Sequence, residues 1–348
     1  DDIEWEHNGF VNYDRSAKEF GYDFFVEGMS VADLNAADFV GLDAPPCQTL
    51  APGSNFSAPL FVSHWGPPMS SGKVRWQLNF ANRFGQRSTP QSGEIAISPQ
   101  RFSVSDLGAL SIPLPAENGL ATVALWLEDE QGTVRSRNYV NVEVRGGASP
   151  AVEKLENGWA LRFAPGEYAQ VSSKWPQPFS AADGSKFAAG GSGWVEYAVT
   201  LPAEVDVAQI RQLTLLMEVG ARTAGARIDW PHRTYGFNYP QTEVDKKVPS
   251  DLVVTINDTV IGSVHLPDDP ADARGVLSHH SGIEPGSYGF LTELTVNSEV
   301  VKTLLHGTKT LHIRLAVPAD AAAKGGVSLY GETVGGWAVG PTVLINNK

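Results

Sequence analysis

Hydrophobic and polar residues alternate along most of this chain, with the period of two that is typical of β-strands buried on one face. Between residues 47 and 147, the alternation is clearest in three runs, which begin at Val74, Val123 and Val140. Turns that contain proline or glycine separate these runs. Several short strands within about 100 residues predict an immunoglobulin-like β-sandwich, and Trp76 is the candidate aromatic residue of its core.

A second region of alternation covers residues 148–348. Its clearest runs begin at Val195, Leu213, Leu252 and Leu311. Asn257-Asp258 predicts a two-residue hairpin turn, because both residue types tolerate the backbone that such turns require. About ten strands with long connections rich in glycine and proline predict a jelly-roll sandwich. Gly146-Gly147-Ala148-Ser149-Pro150 has the composition of a linker and marks the boundary between the two regions.

The first 46 residues follow a different pattern. Ile3 and Trp5 have the spacing of a strand end, and residues 16–20 have the composition of a helix start. A single strand-loop-helix unit cannot bury its own apolar face, so we expect the remainder of a parallel β/α fold upstream of this chain. Farther along, Ser30 and Asp33 form a capping pair that predicts a second, short helix.

Three groups of residues resemble parts of one enzyme family. The first is Asp2-Ile3-Glu4-Trp5-Glu6-His7-Asn8-Gly9-Phe10, followed by Arg15, Lys18 and Phe20. The second consists of residues 59–65 and 74–78. The third consists of residues 266–275, Pro285-Gly286-Ser287-Tyr288-Gly289 and Ser328-Leu329-Tyr330-Gly331. Together these residues resemble the C-terminal part of bacterial glycoside hydrolases of family 2.

The resemblance implies a three-part, mainly β organisation. Residues 1–46 would be the last strand and helix of a (β/α)8 barrel, residues 47–147 an immunoglobulin-like sandwich, and residues 148–348 a galactose-binding-like jelly roll. The parent would be a retaining enzyme that acts on β-linked oligo- or polysaccharide. We expect such a protein in the periplasm or outside the cell.

A retaining glycosidase needs two carboxylic groups about 5 Å apart, delivered by barrel loops. The resemblance implies that these come from barrel strands that precede this chain, so Glu4 and Glu6 are not expected to be the catalytic pair. We therefore expect no catalytic residue in this chain and little activity of the chain alone. Its partner would be the missing N-terminal catalytic part of the same enzyme.

The start of the chain nevertheless offers candidates for sugar contacts. The resemblance implies that Trp5, at the carboxyl end of the last barrel strand, helps to wall the sugar subsite; the alternative is a tryptophan that packs on the barrel rim. Glu4 and Asn8 are candidates for hydrogen bonds to sugar hydroxyl groups, and the alternative is that both are solvated loop residues.

The long connection between residues 222 and 248 supplies a second set of candidates. Sugar recognition combines flat aromatic rings with guanidinium, amide or carboxylate groups, because a pyranose has an apolar face and a ring of hydroxyls. Trp230, Arg233 and Tyr235 provide this mixture within one loop, and long irregular loops are often functional. The competing interpretation is that this loop packs on the missing barrel and shapes the rim of its active site.

Other polar groups indicate structure more than chemistry. One cluster has enough carboxylate oxygens to bind calcium; it consists of Asp268, Asp269 and Asp272. Their spacing matches no calcium-binding loop, so we favour an aspartate-rich turn held by Arg274. His279-His280 lacks a third ligand at zinc spacing. Ser63 and His64 are adjacent on a strand and point to opposite faces, so they are not expected to pair. We expect no metal and no cofactor.

Composition narrows the function further. The net charge of -13 disfavours nucleic acids and anionic membranes, which select basic surfaces. The single cysteine, Cys47, excludes an internal disulfide. The sequence has no apolar run of about 20 residues, so we expect no membrane helix. Carbohydrate remains the expected ligand. A stand-alone, non-catalytic carbohydrate-binding module is the alternative to the enzyme-derived interpretation.

Overall fold

The computed structural model of the chain describes residues 26–175, 178–180, 184–222, 249–267, 275–281 and 288–347. These residues belong to two compact units that meet in sequence between Ala148 and Ser149. This boundary falls within the glycine-rich segment predicted to be a linker. The described residues are mainly β-strand, as the alternation predicted.

The described strands of the first unit form two sheets. They are β1 (Asp38–Leu42), β2 (Cys47–Leu50), β3 (Asn55–His64), β4 (Gly72–Asn82), β5 (Arg87–Ile97), β6 (Ser103–Pro113), β7 (Gly119–Asp129) and β8 (Val134–Val144). One sheet has the order β1-β3-β6 and the other has the order β2-β8-β7-β4-β5. All pairs are antiparallel except β2 with β8.

A single apolar core joins these two sheets into a β-sandwich. Leu60 and Val62 enter it from β3, and Leu78, Leu125 and Val142 enter it from the other sheet. The three alternating runs beginning at Val74, Val123 and Val140 therefore form the strands that their period predicted. In β3 alternate residues are buried, whereas every residue of the central strand β7 is buried.

Trp76 contributes to this core from its margin. Its side chain is half-buried and packs against the core, whereas its neighbours Val74 and Leu78 are fully buried. The indole lies over Gly93 of the edge strand β5, where an added Cβ would stand 2.8 Å from ring atoms. The prediction of Trp76 as the core aromatic residue therefore identified the correct face but not the centre of the core.

The described segment before β2 contains a short helix and one strand. Ser30 caps a short helix, α1 (Val31–Leu34), and the reciprocal hydrogen bonds between Ser30 and Asp33 confirm the predicted capping pair. However, β1 follows directly, pairs with β3 and places Val40 in the core. β1 is thus a strand of the described sandwich: its backbone pairs with β3, and the side-chain amide of Asn138 donates to the carbonyl oxygen of Val40. The barrel strand and helix predicted for residues 1–20 lie outside the described residues.

The described residues of the second unit also form two sheets around one core. Its strands are β9 (Val152–Leu155), β10 (Gly158–Arg162), β11 (Gln170–Val171), β12 (Phe179–Ser180), β13 (Lys186–Ala189), β14 (Gly193–Thr200), β15 (Gln212–Gly220), β16 (Ser250–Ile256), β17 (Thr259–Leu266), β18 (Phe290–Asn297), β19 (Thr310–Val317), β20 (Val327–Tyr330) and β21 (Thr342–Asn346). Short helices α2 (Val276–Ser281) and α3 (Ser298–Leu304) and a 3-10 turn (Val207–Gln209) connect some of them.

The larger sheet has the order β12-β13-β20-β15-β21-β10-β9, with β18 also paired to β15, and the smaller has the order β11-β14-β19-β16-β17. Val195, Tyr197, Leu213, Leu252 and Leu311 all lie in the core between them. The residues that alternate with these on β14 and β19 face away from the core. Those outward residues form the candidate site described below.

The hairpin between β16 and β17 turns at Asn257 and Asp258, as predicted. Both residues have positive φ, 47° and 62°, which a two-residue hairpin loop requires. Only Asn257 uses its side chain to hold other segments: its amide donates to the carbonyl oxygens of Leu304 and Thr310 and accepts from the N–H of His312. The two turn residues therefore share a backbone conformation but differ in their side-chain contacts.

This difference predicts opposite effects of one substitution. Asp258→Gly should leave the free energy of unfolding unchanged or raise it by up to about 1 kcal/mol, because glycine adopts the left-handed region without strain. Asn257→Gly should lower it by about 2 kcal/mol, since it removes hydrogen bonds that contribute roughly 0.5–1.5 kcal/mol each. Urea unfolding followed by circular dichroism would measure both. Equal destabilisation by the two variants would contradict this account of the turn.

Candidate functional site

The residues that the sequence predicted to contact sugar lie outside the described residues. They are Glu4, Trp5, Asn8, Trp230, Arg233 and Tyr235. The same holds for Asp268, Asp269, Asp272 and Arg274. Their roles therefore stay predictions. Within the described ranges, no three histidine, cysteine, aspartate or glutamate side chains are grouped so that they could hold a metal ion.

Four side chains on the outer face of the smaller sheet of the second unit form a mixed aromatic and polar group, which we call the Glu196 cluster. They are Trp194 and Glu196 on β14 and His312 and Arg314 on β19. The strand pairing produces the cluster, because Glu196 stands directly opposite Arg314 in the register. Alternate residues on both strands point into the core, so these four lie on the opposite face.

Charge pairing orders the Glu196 cluster. The Arg314 guanidinium donates to Oε2 of Glu196 from both Nε and Nη2, at 2.9 and 2.7 Å. Nδ1 of His312 lies 3.4 Å from Oε1 of the same carboxylate. The guanidinium also stacks over the indole of Trp194, with its carbon 4.4 Å from the ring centroid. Arginine suits this position because its planar group can stack and hydrogen-bond at the same time.

The exposure of these side chains decides what the cluster can do. The Glu196 side chain is only 9% exposed, whereas those of Arg314 and His312 are 34% and 52% exposed. The carboxylate is therefore the buried anchor, and the two basic groups are the parts that reach solvent. An aromatic ring beside hydrogen-bonding groups on an open sheet face can contact both the apolar face and the hydroxyls of a sugar.

The sequence contains a local signal for each half of this cluster. Trp-x-Glu on one strand and His-x-Arg on another each place two residues on a single outer face. The two halves come together only through the pairing of β14 with β19, because Glu196 and Arg314 are 118 positions apart in the sequence. Periodicity shows which face a side chain occupies, but not which strand lies beside it.

A second polar group, the Glu218 cradle, lies on the larger sheet. Glu218 of β15 is fully buried and accepts backbone hydrogen bonds from Gly289, Gly336 and Trp337, at 2.6, 2.8 and 3.1 Å. Tyr330 is its register neighbour on β20, and Lys186 is in turn the neighbour of Tyr330 on β13. The carboxylate thereby holds two loop segments against one strand.

Burial controls the ionisation of Glu218. Loss of hydration raises the pKa of Glu218 to about 8, although the three backbone N–H donors and the charge of Lys186 act in the opposite direction. The Lys186 side chain is equally buried and lies over the ring of Tyr330, with Nζ 4.7 Å from the centroid. None of these groups is open to a substrate, so the cradle is a structural clamp.

The cradle explains two of the motifs identified in the sequence. Tyr288-Gly289 and Ser328-Leu329-Tyr330-Gly331 are distant in the chain, yet both contribute residues around Glu218. At Gly289, an added Cβ would stand 2.8 Å from Glu218 and from the backbone of Val219. A glycine is therefore needed where this backbone approaches the carboxylate.

No known protein family matches the chain, and no curated protein matches it either. Several solved structures are similar to parts of it. β-Glucuronidase 2 of Bacteroides uniformis is 11% identical, with a TM-score of 0.20, over 92% of this chain and 32% of that protein. A Paenibacillus cycloisomaltooligosaccharide glucanotransferase is 5% identical, with a TM-score of 0.27, over 88% of this chain and 71% of that one.

Red sea bream transglutaminase is similar at 11% identity and a TM-score of 0.24, over 55% of this chain and 24% of its own length. The chain thus spans a quarter to a third of the transglutaminase and the β-glucuronidase. TM-scores this low establish no common arrangement of domains.

No helix in the described ranges is long and apolar enough to cross a membrane.

The raised pKa of Glu218 predicts a pH-dependent stability. The folded state retains the proton up to about pH 8, whereas the unfolded chain releases it near 4.5, so the free energy of unfolding should fall as pH rises between these values. The slope from this group is roughly 1.4 kcal/mol per pH unit. Glu218→Gln should flatten the curve, because glutamine does not titrate, even if its baseline stability is lower.

Urea unfolding at several pH values from 5 to about 8 would measure this slope. Glu293→Gln provides the matched control, because Glu293 lies on the adjacent strand β18 with an exposed side chain. The control should keep the wild-type slope. Parallel curves for wild type and Glu218→Gln would show that Glu218 does not carry the proton.

Proposed function

We propose that this chain is the C-terminal portion of a family 2-like glycoside hydrolase that acts on β-linked oligo- or polysaccharide. Its main roles are to support the catalytic part and to contact the substrate, while the catalytic carboxylates lie upstream. In this proposal, the first unit is the immunoglobulin-like domain and the second is the galactose-binding-like jelly roll. The residues that resemble the family, quoted above, support it.

The observation that carries the proposal is the Glu196 cluster. Trp194 supplies an apolar ring, and His312 and Arg314 supply polar groups that reach solvent, all on one outer sheet face. This combination fits a neutral sugar better than an anion, because the cationic group is already neutralised by Glu196. The surface is small and open. We therefore expect weak binding, with a Kd on the order of 1 mM.

The buried carboxylates argue for a supporting role of the described residues. Asp38, Glu196 and Glu218 are buried and form hydrogen bonds with backbone, arginine or histidine groups. A glycosidase nucleophile must instead approach the sugar, about 5 Å from a second carboxylic group. These three carboxylates serve the fold. Their structural role is consistent with catalysis by carboxylates upstream of this chain.

The chain alone should not hydrolyse aryl β-glycosides, because it is proposed to lack both catalytic carboxylates. A chromogenic assay with a panel of 4-nitrophenyl β-glycosides would test this. Turnover by the purified chain that disappears in Glu4→Gln or Glu6→Gln would overturn the proposal, since those carboxylates would then take part in catalysis.

Weak binding of β-linked tetrasaccharides should depend on the Glu196 cluster. Trp194→Ala removes the ring, and Arg314→Lys keeps the charge but loses the two-nitrogen contact with Glu196; each should lower the affinity by about tenfold. Val260→Ala alters another exposed residue of the same sheet and should bind as wild type does. Saturation-transfer NMR titrations would measure the affinities. Micromolar binding that Trp230→Ala abolishes would instead favour a stand-alone carbohydrate-binding module.

A further inference from the structure

Two large aromatic side chains are exposed side by side on the first unit. Trp65 and Phe102 are 55% and 59% exposed, and their ring centroids are 5.8 Å apart with an angle of 60° between the planes. Arg101 completes the group, which we call the aromatic corner, because its guanidinium carbon lies 4.5 Å from the centroid of the Phe102 ring. Two adjacent exposed rings form a contiguous apolar patch, and such patches often mark binding sites.

The backbone at Phe102 is strained. Its φ is 61°, in the left-handed region, and among the described non-glycine residues this conformation is shared only by Asn257 and Asp258 of the hairpin turn. Asparagine and aspartate tolerate this region, but for a bulky residue it costs about 1–2 kcal/mol. Glycine would relieve the strain. A phenylalanine that is both strained and exposed contributes little to the stability of the fold. Strained residues of this kind are often found at functional sites.

Trp65 is held in place by a buried polar network. Its indole N–H donates to Oγ of Ser63 at 2.9 Å, which fixes the orientation of the ring. Beneath it, Oδ1 of Asp38 accepts the backbone N–H groups of Trp65 and Gly66 and lies 2.7 Å from Nδ1 of His64. The Asp38 and His64 side chains are 3% and 1% exposed. Burial of such a pair is costly, and here it fixes the turn that displays the indole.

The same turn also positions Arg101. Nε of Arg101 donates to the carbonyl oxygen of Gly66 at 2.9 Å, and the N–H of Phe102 donates to the carbonyl oxygen of His64 at 2.7 Å. These bonds tie the two loops of the corner together. The result is a pair of rings at an angle, preorganised before any ligand arrives, with a guanidinium donor beside them.

The size and chemistry of the corner identify its occupant. The corner offers two rings and one guanidinium within a small area, which matches a small ligand. A pyranose is the size of one aromatic ring and offers C–H groups to a ring face and hydroxyls to a guanidinium. We propose that the aromatic corner of Trp65, Phe102 and Arg101 binds one pyranose unit of a β-linked glycan. The proposal relies on the proposed function for its substrate class.

Phe102→Gly gives the sharpest test, because it should separate binding from folding. In NMR titrations with tetrasaccharides of β-1,4-glucan, β-1,3-glucan and β-1,4-mannan, followed by the backbone amide of Gly66 in the corner, the variant should bind about tenfold more weakly, the equivalent of one lost aromatic contact. Its midpoint of urea unfolding should be equal to or higher than that of wild type, since the strain is relieved. Trp65→Ala should weaken binding to a similar extent.

Two results would overturn the inference. One is a Phe102→Gly variant that binds as wild type does, and the other is a large loss of stability in that variant, which would make the ring part of the fold. Trp194→Ala separates this inference from the proposed function. If only Trp194→Ala weakens binding, the aromatic corner is not a sugar site, but the Glu196 cluster remains one.

If Trp65→Ala and Phe102→Gly weaken binding and Trp194→Ala does not, the aromatic corner is confirmed and the Glu196 cluster fails. A Gly66 amide signal that no tetrasaccharide shifts would rule out sugar binding at the corner. Whether the chain belongs to a glycoside hydrolase would then be decided separately, by the turnover of the natural protein that contains this chain.

Discussion

The alternation of side chains along a β-strand is the constraint on which the rest of this structure depends. Successive residues point to opposite faces, so a sheet that buries one face in a core must present the other. On β14, Val195 and Tyr197 lie in the core and Glu196 lies on the outer face. The register with β19 then places Arg314 opposite Glu196. The pairing that buries the apolar side chains thus also assembles the polar chemistry.

Buried carboxylates show how the two units hold their irregular segments. A carboxylate without partners is unstable in an interior, so each must gather donors from the surrounding chain. Asp38 gathers two backbone N–H groups and a histidine, Glu196 an arginine, and Glu218 three backbone N–H groups. Each therefore fixes a loop or a strand pair. Because all three are buried as well as hydrogen-bonded, they are unsuited to act as nucleophiles, which separates the fold-supporting carboxylates from any catalytic ones.

The sequence predicted the features that depend on neighbouring residues. The capping pair of Ser30 and Asp33 and the turn at Asn257 and Asp258 involve residues at most three positions apart, and the strands follow from a period of two. The contacts of the Glu218 cradle could not be predicted in this way. Glu218 and Gly336 are 118 positions apart and meet only because of the strand order. The predicted sugar contacts at Trp5 and Trp230 are not tested by the described residues.

The aromatic corner reverses the usual distribution of side chains in a small sandwich. Asp38 and His64 are inside, while Trp65 and Phe102 are outside. Burial of one such ring would stabilise the fold by about 1.5–3 kcal/mol, and the left-handed backbone at Phe102 costs about 1–2 kcal/mol more. Folding alone therefore gives no reason for this arrangement. Covering the rings with a ligand would recover part of the lost stabilisation, and a group of two rings is large enough for one sugar unit.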